Sequence, residues 1–145
     1  MLSLQDQHAL ILGLGDSGLA MARWCARNGA HVTVMDSREQ PPHLATLLAE
    51  YPQVVFKTGL FEASVVEGSD IRAVFKSPGL SPQSVAPLWV AAQAMGLWLG
   101  TELSLFAQAL RDLHTTVAYQ PQVLAITGTN GKTTVTALTG LLLAR

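Results

Sequence analysis

"HALILGLGDSG", residues 8–18, decides the fold. The apolar run His8 to Leu12 ends in a loop where Gly13, Gly15 and Gly18 form G-x-G-x-x-G. The stretch that follows, "SGLAMARWCARNG", has the composition of a helix, and Leu19, Ala22, Trp24 and Ala26 suit its packed positions before Gly29 stops it. Glycines permit a tight turn and a close backbone approach, and the helix N-terminus presents unpaired N–H groups and a positive dipole end to an anion. Two readings of these glycines stand side by side. They hold a nucleotide or dinucleotide phosphate, or they only let the helix pack closely on its sheet. Asp16 inside the loop weighs against a phosphate unless its carboxylate points away.

Working outward, "HVTVMD" at 31–36 reads as a second strand ending in Asp36, a carboxylate placed to accept hydrogen bonds from a ribose hydroxyl or a base N–H. Strand, helix and strand in roughly 30 residues make a right-handed βαβ unit. Three more strands are expected at "VVFKTG" (54–59), "IRAVFKSPG" (71–79) and "LWLG" (97–100), with helices at "HLATLLAEY" (43–51) and "PLWVAAQAMG" (87–96). This alternation predicts an α/β fold, a Rossmann-like doubly wound, mostly parallel sheet over residues 1–100. Beyond it, Thr101 is a candidate N-cap for a helix through "TELSLFAQALRDL". "VLAIT" at 123–127 reads as a new strand, and "TTVTALTGLLLAR" as a helix to the end.

The 145 residues suffice for one ordinary domain and a fraction of another. Apolar residues make up 49% and charged residues 13%, as expected where elements are buried on two sides. A formal net charge of -1 and scattered Lys and Arg leave no basic stripe for nucleic acid or an anionic membrane, which directs attention to small ligands. Cys25, the only cysteine, excludes an internal disulfide and fits a reducing compartment. His8, His31, His43 and His114 are too scattered for a metal site. The short N-terminal apolar run lacks preceding basic residues and is broken by glycines, unlike a signal peptide, and no run approaches the ~20 apolar residues of a membrane span. The expectation is a cytoplasmic protein with no membrane insertion.

A second glycine loop, "GTNGKTT" at 128–134, lies between the expected strand and helix, where a P-loop belongs. The strict spacing G-x-x-x-x-G-K-[ST] fails, because Ile126 stands five residues before Gly131. The chemical half remains: backbone N–H groups around Asn130 to Thr133 for phosphates, Lys132 for the β- and γ-phosphates, and Thr133 for Mg²⁺. A shortened P-loop is the reading adopted, against a glycine turn with a solvated lysine.

Dehydrogenases carry the first kind of loop and simple P-loop enzymes the second. Together, "LGLGDSG", "VMDSREQPP", "FKSPGLSP", "GTELSLF" and "GTNGKTT" resemble the Mur ligase family over essentially the whole chain, and within it the D-glutamate-adding branch. The resemblance implies an ATP-dependent amide-forming ligase of peptidoglycan biosynthesis that acts through an acyl phosphate. Its substrates would be UDP-N-acetylmuramoyl-L-alanine, D-glutamate and ATP, with Mg²⁺. It further implies a UDP-substrate-binding domain over residues 1–100, the opening of a central ATP-binding domain over 101–145, and a monomeric complete enzyme.

By matched motif, Asp16, Ser17 and Gly18 would lie at the diphosphate. Asp36, Ser37 and Arg38 would hold the uracil end, and Pro78 and Gly79 would shape the cleft wall. Gly128, Thr129, Asn130, Gly131, Lys132, Thr133 and Thr134 would serve ATP, with Lys132 and Thr133 catalytic and Thr133 a metal ligand. The chain is then expected to end inside the second domain and to be inactive alone. Leu138, Leu141, Leu142 and Leu143 would lack their partners, leaving that segment mobile or self-associating. The competing readings are an alanine-adding Mur ligase and, from another class, an NAD(P)-binding Rossmann module. Folate ligases share the ATP loop but lack the N-terminal domain.

Overall fold

In the computed structural model, which describes residues 4–144, the chain falls into two compact units, Met1–Arg111 and Asp112–Arg145. The first contains five strands: β1 (His8–Leu12), β2 (His31–Asp36), β3 (Val55–Thr58), β4 (Ile71–Lys76) and β5 (Trp98–Gly100). All adjacent strands pair in parallel, in the order β3-β2-β1-β4-β5. Connecting them are α1 (Asp16–Arg27), α2 (Leu44–Glu50), a short 3-10 turn (Ala63–Val65) and α3 (Pro82–Ala94). The chain order reverses across β1 and β4, so the loops leaving their carboxyl ends face one crevice. Such a reversal is where doubly wound sheets bind ligands.

Side-chain alternation divides the core. Ala9 and Ile11 of β1 pack in one cluster with Leu19, Met21, Ala22 and Cys25 of α1, while Leu10 and Leu12 pack in the other with Val85, Leu88 and Ala92 of α3. Helices therefore cover both faces, and the apolar composition read from sequence is that of a doubly wound sheet. Two helices differ in detail from the expectation. Trp24 is exposed rather than packed, because the stripe facing the sheet runs through residues 18, 21, 22 and 25 at helical spacing, with its centre about 110° from position 24.

The third helix starts at Pro82, five residues before its expected start. Ser81 Oγ accepts the Ser84 N–H at 3.1 Å as N-cap, and Pro82 occupies a first-turn position that needs no N–H donor. Pro87 is carried inside the helix on its exposed side. Ser81→Ala should cost about 1 kcal/mol, visible as a lower midpoint at unchanged slope in urea denaturation. A midpoint equal to the parent's would mean that Pro82 alone nucleates the helix.

A fourth helix, α4 (Glu102–Val117), follows directly on β5. Thr101 takes the expected capping place: its C=O accepts the Leu105 N–H at 3.1 Å, and its own N–H donates to Ser104 Oγ at 3.1 Å. Leu105 joins the α1 side of the core.

The second unit contains the end of α4 and α5 (Lys132–Leu143). "VLAIT" does not form the expected strand: residues 123–127 are irregular, and Val123 and Leu124 are exposed. A strand exists only by pairing its N–H and C=O groups with a neighbour, and no described residue pairs with this segment. Leu138, Leu141, Leu142 and Leu143 of α5 are all exposed. Arg145, the expected last helical residue, lies outside the described residues.

Candidate functional site

A cleft of about 430 Å³ opens at the carboxyl ends of β1, β2 and β4. Its lining comes from three loops: Gly13, Gly15, Asp16 and Ser17; Asp36, Ser37 and Arg38; and Ser77, Pro78, Gly79 and Leu80. Three segments far apart in sequence meet here because their strands are neighbours in the sheet.

At the first wall, Gly15 is the N-cap of α1 and contributes no side chain. The first helical hydrogen bond is Leu19 N–H to Gly15 O at 2.9 Å, so the N–H groups of Asp16, Ser17 and Gly18 have no partner among the described residues. These are the orphan donors of a helix start, at the positive end of the dipole. A Cβ at Gly15 would meet nothing within 4 Å, and its extended backbone suits any residue. Neither a clash nor backbone strain therefore calls for glycine there, and the missing side chain leaves the mouth of the cleft open.

Gly18 has a different reason. A Cβ added to it would fall on the Gly13 carbonyl oxygen and lie 2.9 Å from the Gly13 carbonyl carbon. The helix start and the strand exit touch backbone to backbone, beneath the cleft rather than on its lining. The Asp16 carboxylate is held by His43 Nε2 at 2.8 Å, just before α2. This is how the loop tolerates a carboxylate beside its phosphate-type donors.

At the second wall, Asp36 is 1% exposed. Its carboxylate accepts from Leu14 N at 2.7 Å, Arg38 N at 2.9 Å, Arg38 Nε at 2.9 Å and Arg38 Nη2 at 2.8 Å. Four donors fill the roughly four lone-pair positions a carboxylate offers. The carboxylate read from sequence as a direct acceptor for base or ribose is thus committed to the protein's own donors. The Arg38 guanidinium and, against the cost of burial, the Leu14 and Arg38 N–H groups hold its pKa down to about 2. Arg38, with its side chain 53% exposed, is presented to the cleft by this forked pair.

The third wall follows β4. Ser77 N–H donates to Leu12 O at 3.0 Å and Ser77 Oγ to Gly13 O at 3.0 Å, which ties this turn to the glycine loop. Ser77 was not among the residues singled out in the sequence. Its signal was its place immediately after a strand that pairs with β1, legible only once that pairing is known.

Residues 7–98 match the family model described as Mur ligase MurD-like, N-terminal domain. The chain belongs to this family. It is 63% identical over all 145 residues to the UDP-N-acetylmuramoylalanine--D-glutamate ligase of Albidiferax ferrireducens, covering 29% of that protein. It is 54% identical over 143 residues, 97% of the chain, to the ligase of the same name from Burkholderia orbicola, covering 28% of it. The chain thus spans under a third of the length of these relatives. Among solved structures, shikimate dehydrogenase from Aquifex aeolicus overlays 83% of the chain and 52% of its own length at a TM-score of 0.50 and 12% identity, a likeness of fold alone.

Set in the Mur ligase family, the cleft brings together seven of the eight residues matched to the uridine substrate: Asp16, Ser17, Asp36, Ser37, Arg38, Pro78 and Gly79. Gly18 is the exception, its side-chain position being closed by Gly13. The ATP-type loop lies in the second unit. Gly131 caps α5 in the left-handed conformation at φ 75°, which favours glycine. Lys132 Nζ donates to Gly128 O at 2.6 Å across the loop, and Thr136 Oγ1 to Lys132 O at 2.8 Å. The Thr133 and Thr134 side chains are exposed at the start of this helix.

Proposed function

We propose that residues 1–100 bind the uridine nucleotide of UDP-N-acetylmuramoyl-L-alanine, and that residues 101–145 open the ATP-binding domain of a cytoplasmic, monomeric D-glutamate-adding ligase. One observation carries the reading of the first domain: a cleft whose floor is unpaired helix N–H groups and whose Gly15 leaves space the fold does not need. Diphosphate oxygens would meet the N–H groups of Asp16 and Ser17, with the Ser17 hydroxyl beside them. Gly18 would act by keeping α1 close to the loop.

The base end favours uracil on chemical grounds. In a dinucleotide-binding site the carboxylate after the second strand accepts from the adenosine ribose. Here that carboxylate is filled by Arg38 and Leu14, and what faces the cleft is the guanidinium together with Ser37. A donor-rich end suits the two carbonyl oxygens of uracil, and it offers no free carboxylate to a ribose diol.

For ATP, the donors of the second loop are of the right kind. Lys132 has two further N–H groups beyond the one given to Gly128, α5 presents its N-terminal N–H groups, and the Thr133 hydroxyl would supply one Mg²⁺ ligand. ATP with Mg²⁺ would supply the phosphoryl group that turns the alanyl carboxylate into an acyl phosphate open to the amine of D-glutamate. Lys132 would balance charge on that group.

A thermal-shift panel tests the uridine assignment directly. UDP and UDP-N-acetylmuramoyl-L-alanine are expected to raise the melting temperature of the chain, UMP less so, and NAD and NADP not at all. Stabilisation by NAD or NADP alone would replace the assignment with the dinucleotide reading.

A further inference from the structure

The turn from Ser77 to Leu80 forms one wall of the cleft, and an unassigned residue holds it. Lys76, the last residue of β4, donates from Nζ to Leu80 O at 2.9 Å and to Ser77 O at 3.3 Å. The Ser77 oxygen also accepts the Leu80 N–H at 3.2 Å, closing the turn from within. One ammonium therefore bridges both ends of a four-residue turn. It engages the carbonyl oxygens, the electronegative ends of the peptide dipoles that would repel an anion. Between these two carbonyls lies Gly79, which lines the cleft and whose N–H has no hydrogen-bond partner among the described residues. Pro78 before it carries no N–H, so Gly79 is the donor this part of the wall can offer.

We propose that Lys76 is a positioning residue for the diphosphate: by holding the Ser77 and Leu80 carbonyls it fixes the turn so that the Gly79 N–H serves a phosphate oxygen opposite the start of α1. Lys76 itself need not touch the ligand. The inference rests on the uridine-diphosphate reading of the cleft and adds to it a residue and a second anion donor across from Asp16 and Ser17.

The test uses Lys76→Met and Lys76→Ala in the 145-residue chain, with Lys76→Arg as the conservative control. Titrations with uridine, UMP and UDP are combined with amide hydrogen exchange at Leu80, whose N–H closes the turn. Loss of the bridge is expected to weaken UDP about tenfold, the scale of one hydrogen bond involving a charged group, while uridine changes little. Leu80 exchange should quicken in the unliganded variants, and Lys76→Arg should restore most of both. Equal losses for uridine and UDP would reduce Lys76 to a general structural role. A UDP loss with unchanged Leu80 exchange would make it a distant charge; either result overturns the proposal. Failure of the parent chain to bind UDP at all would remove the cleft assignment and this inference together, an outcome separate from the other two.

Discussion

Asp36→Ala is expected to lower the stability of the first unit by about 3 kcal/mol, and to abolish uridine-nucleotide binding as a consequence of a lost arrangement rather than a lost contact. The change removes two charge-assisted bonds to Arg38 and leaves the Leu14 N–H without its acceptor. An orphaned buried donor alone costs about 1–3 kcal/mol, and the lost charge-assisted bonds add to it, by less than in a fully buried pair because the Arg38 side chain is 53% exposed. The pH dependence gives an independent signature. The carboxyl titrates at about 2 when folded against an ordinary 3.8, so its contribution is complete above about pH 4 and is lost as pH falls through 2. That shift corresponds to roughly 2 kcal/mol. Urea denaturation at pH 7 should therefore separate parent and variant widely, and the gap should narrow between pH 4 and pH 2. A gap below about 1 kcal/mol at pH 7, or one that stays constant with pH, would contradict the forked pair as the organiser of this wall.

Gly18→Ala should be as damaging, and with a sign opposite to helix propensity. Alanine in place of glycine ordinarily favours a helix by about 1 kcal/mol. Here the added methyl falls on the Gly13 carbonyl oxygen, close to Ser77 Oγ as well, so α1 must lift off the strand exit. Because the obstacle is backbone, the cost should reach about 3 kcal/mol. Gly15→Ala is the matched comparison, since its methyl meets no protein atom and its backbone is already extended. It should lose no more than the roughly 1 kcal/mol by which alanine is the poorer N-cap, and yet weaken UDP, because the methyl enters the cleft. If the two variants melt alike, the division between a packing glycine and a ligand glycine does not hold.

These two residues also show how far sequence reading reached. Gly18 and Asp36 were visible as parts of one loop-and-carboxylate pattern, but their partners were not. Gly18 is explained by Gly13 and Ser77, and Asp36 by Leu14, which lies 22 residues away in the chain. A pattern names residue types at intervals; it does not say whose lone pairs are already filled. For the same reason the reading passed over Lys76 and Ser77, ordinary residues at a strand end, whose use depends on which carbonyls the turn brings within reach.

What the sequence determined by itself was what local spacing controls. The alternation of strand and helix, the two glycine loops opening α1 and α5, the capping of α4 by Thr101 and the family to which the motifs belong were all legible, because each depends on residues within a few positions of one another. Tertiary structure alone decided the strand order β3-β2-β1-β4-β5, the exposure of Trp24, the commitment of Asp36 to the Leu14 N–H and the irregular course of residues 123–127. Each of these turns on pairing between distant segments. A strand needs a neighbour for its backbone, a carboxylate takes the donors brought to it, and a helix hides the face its sheet covers.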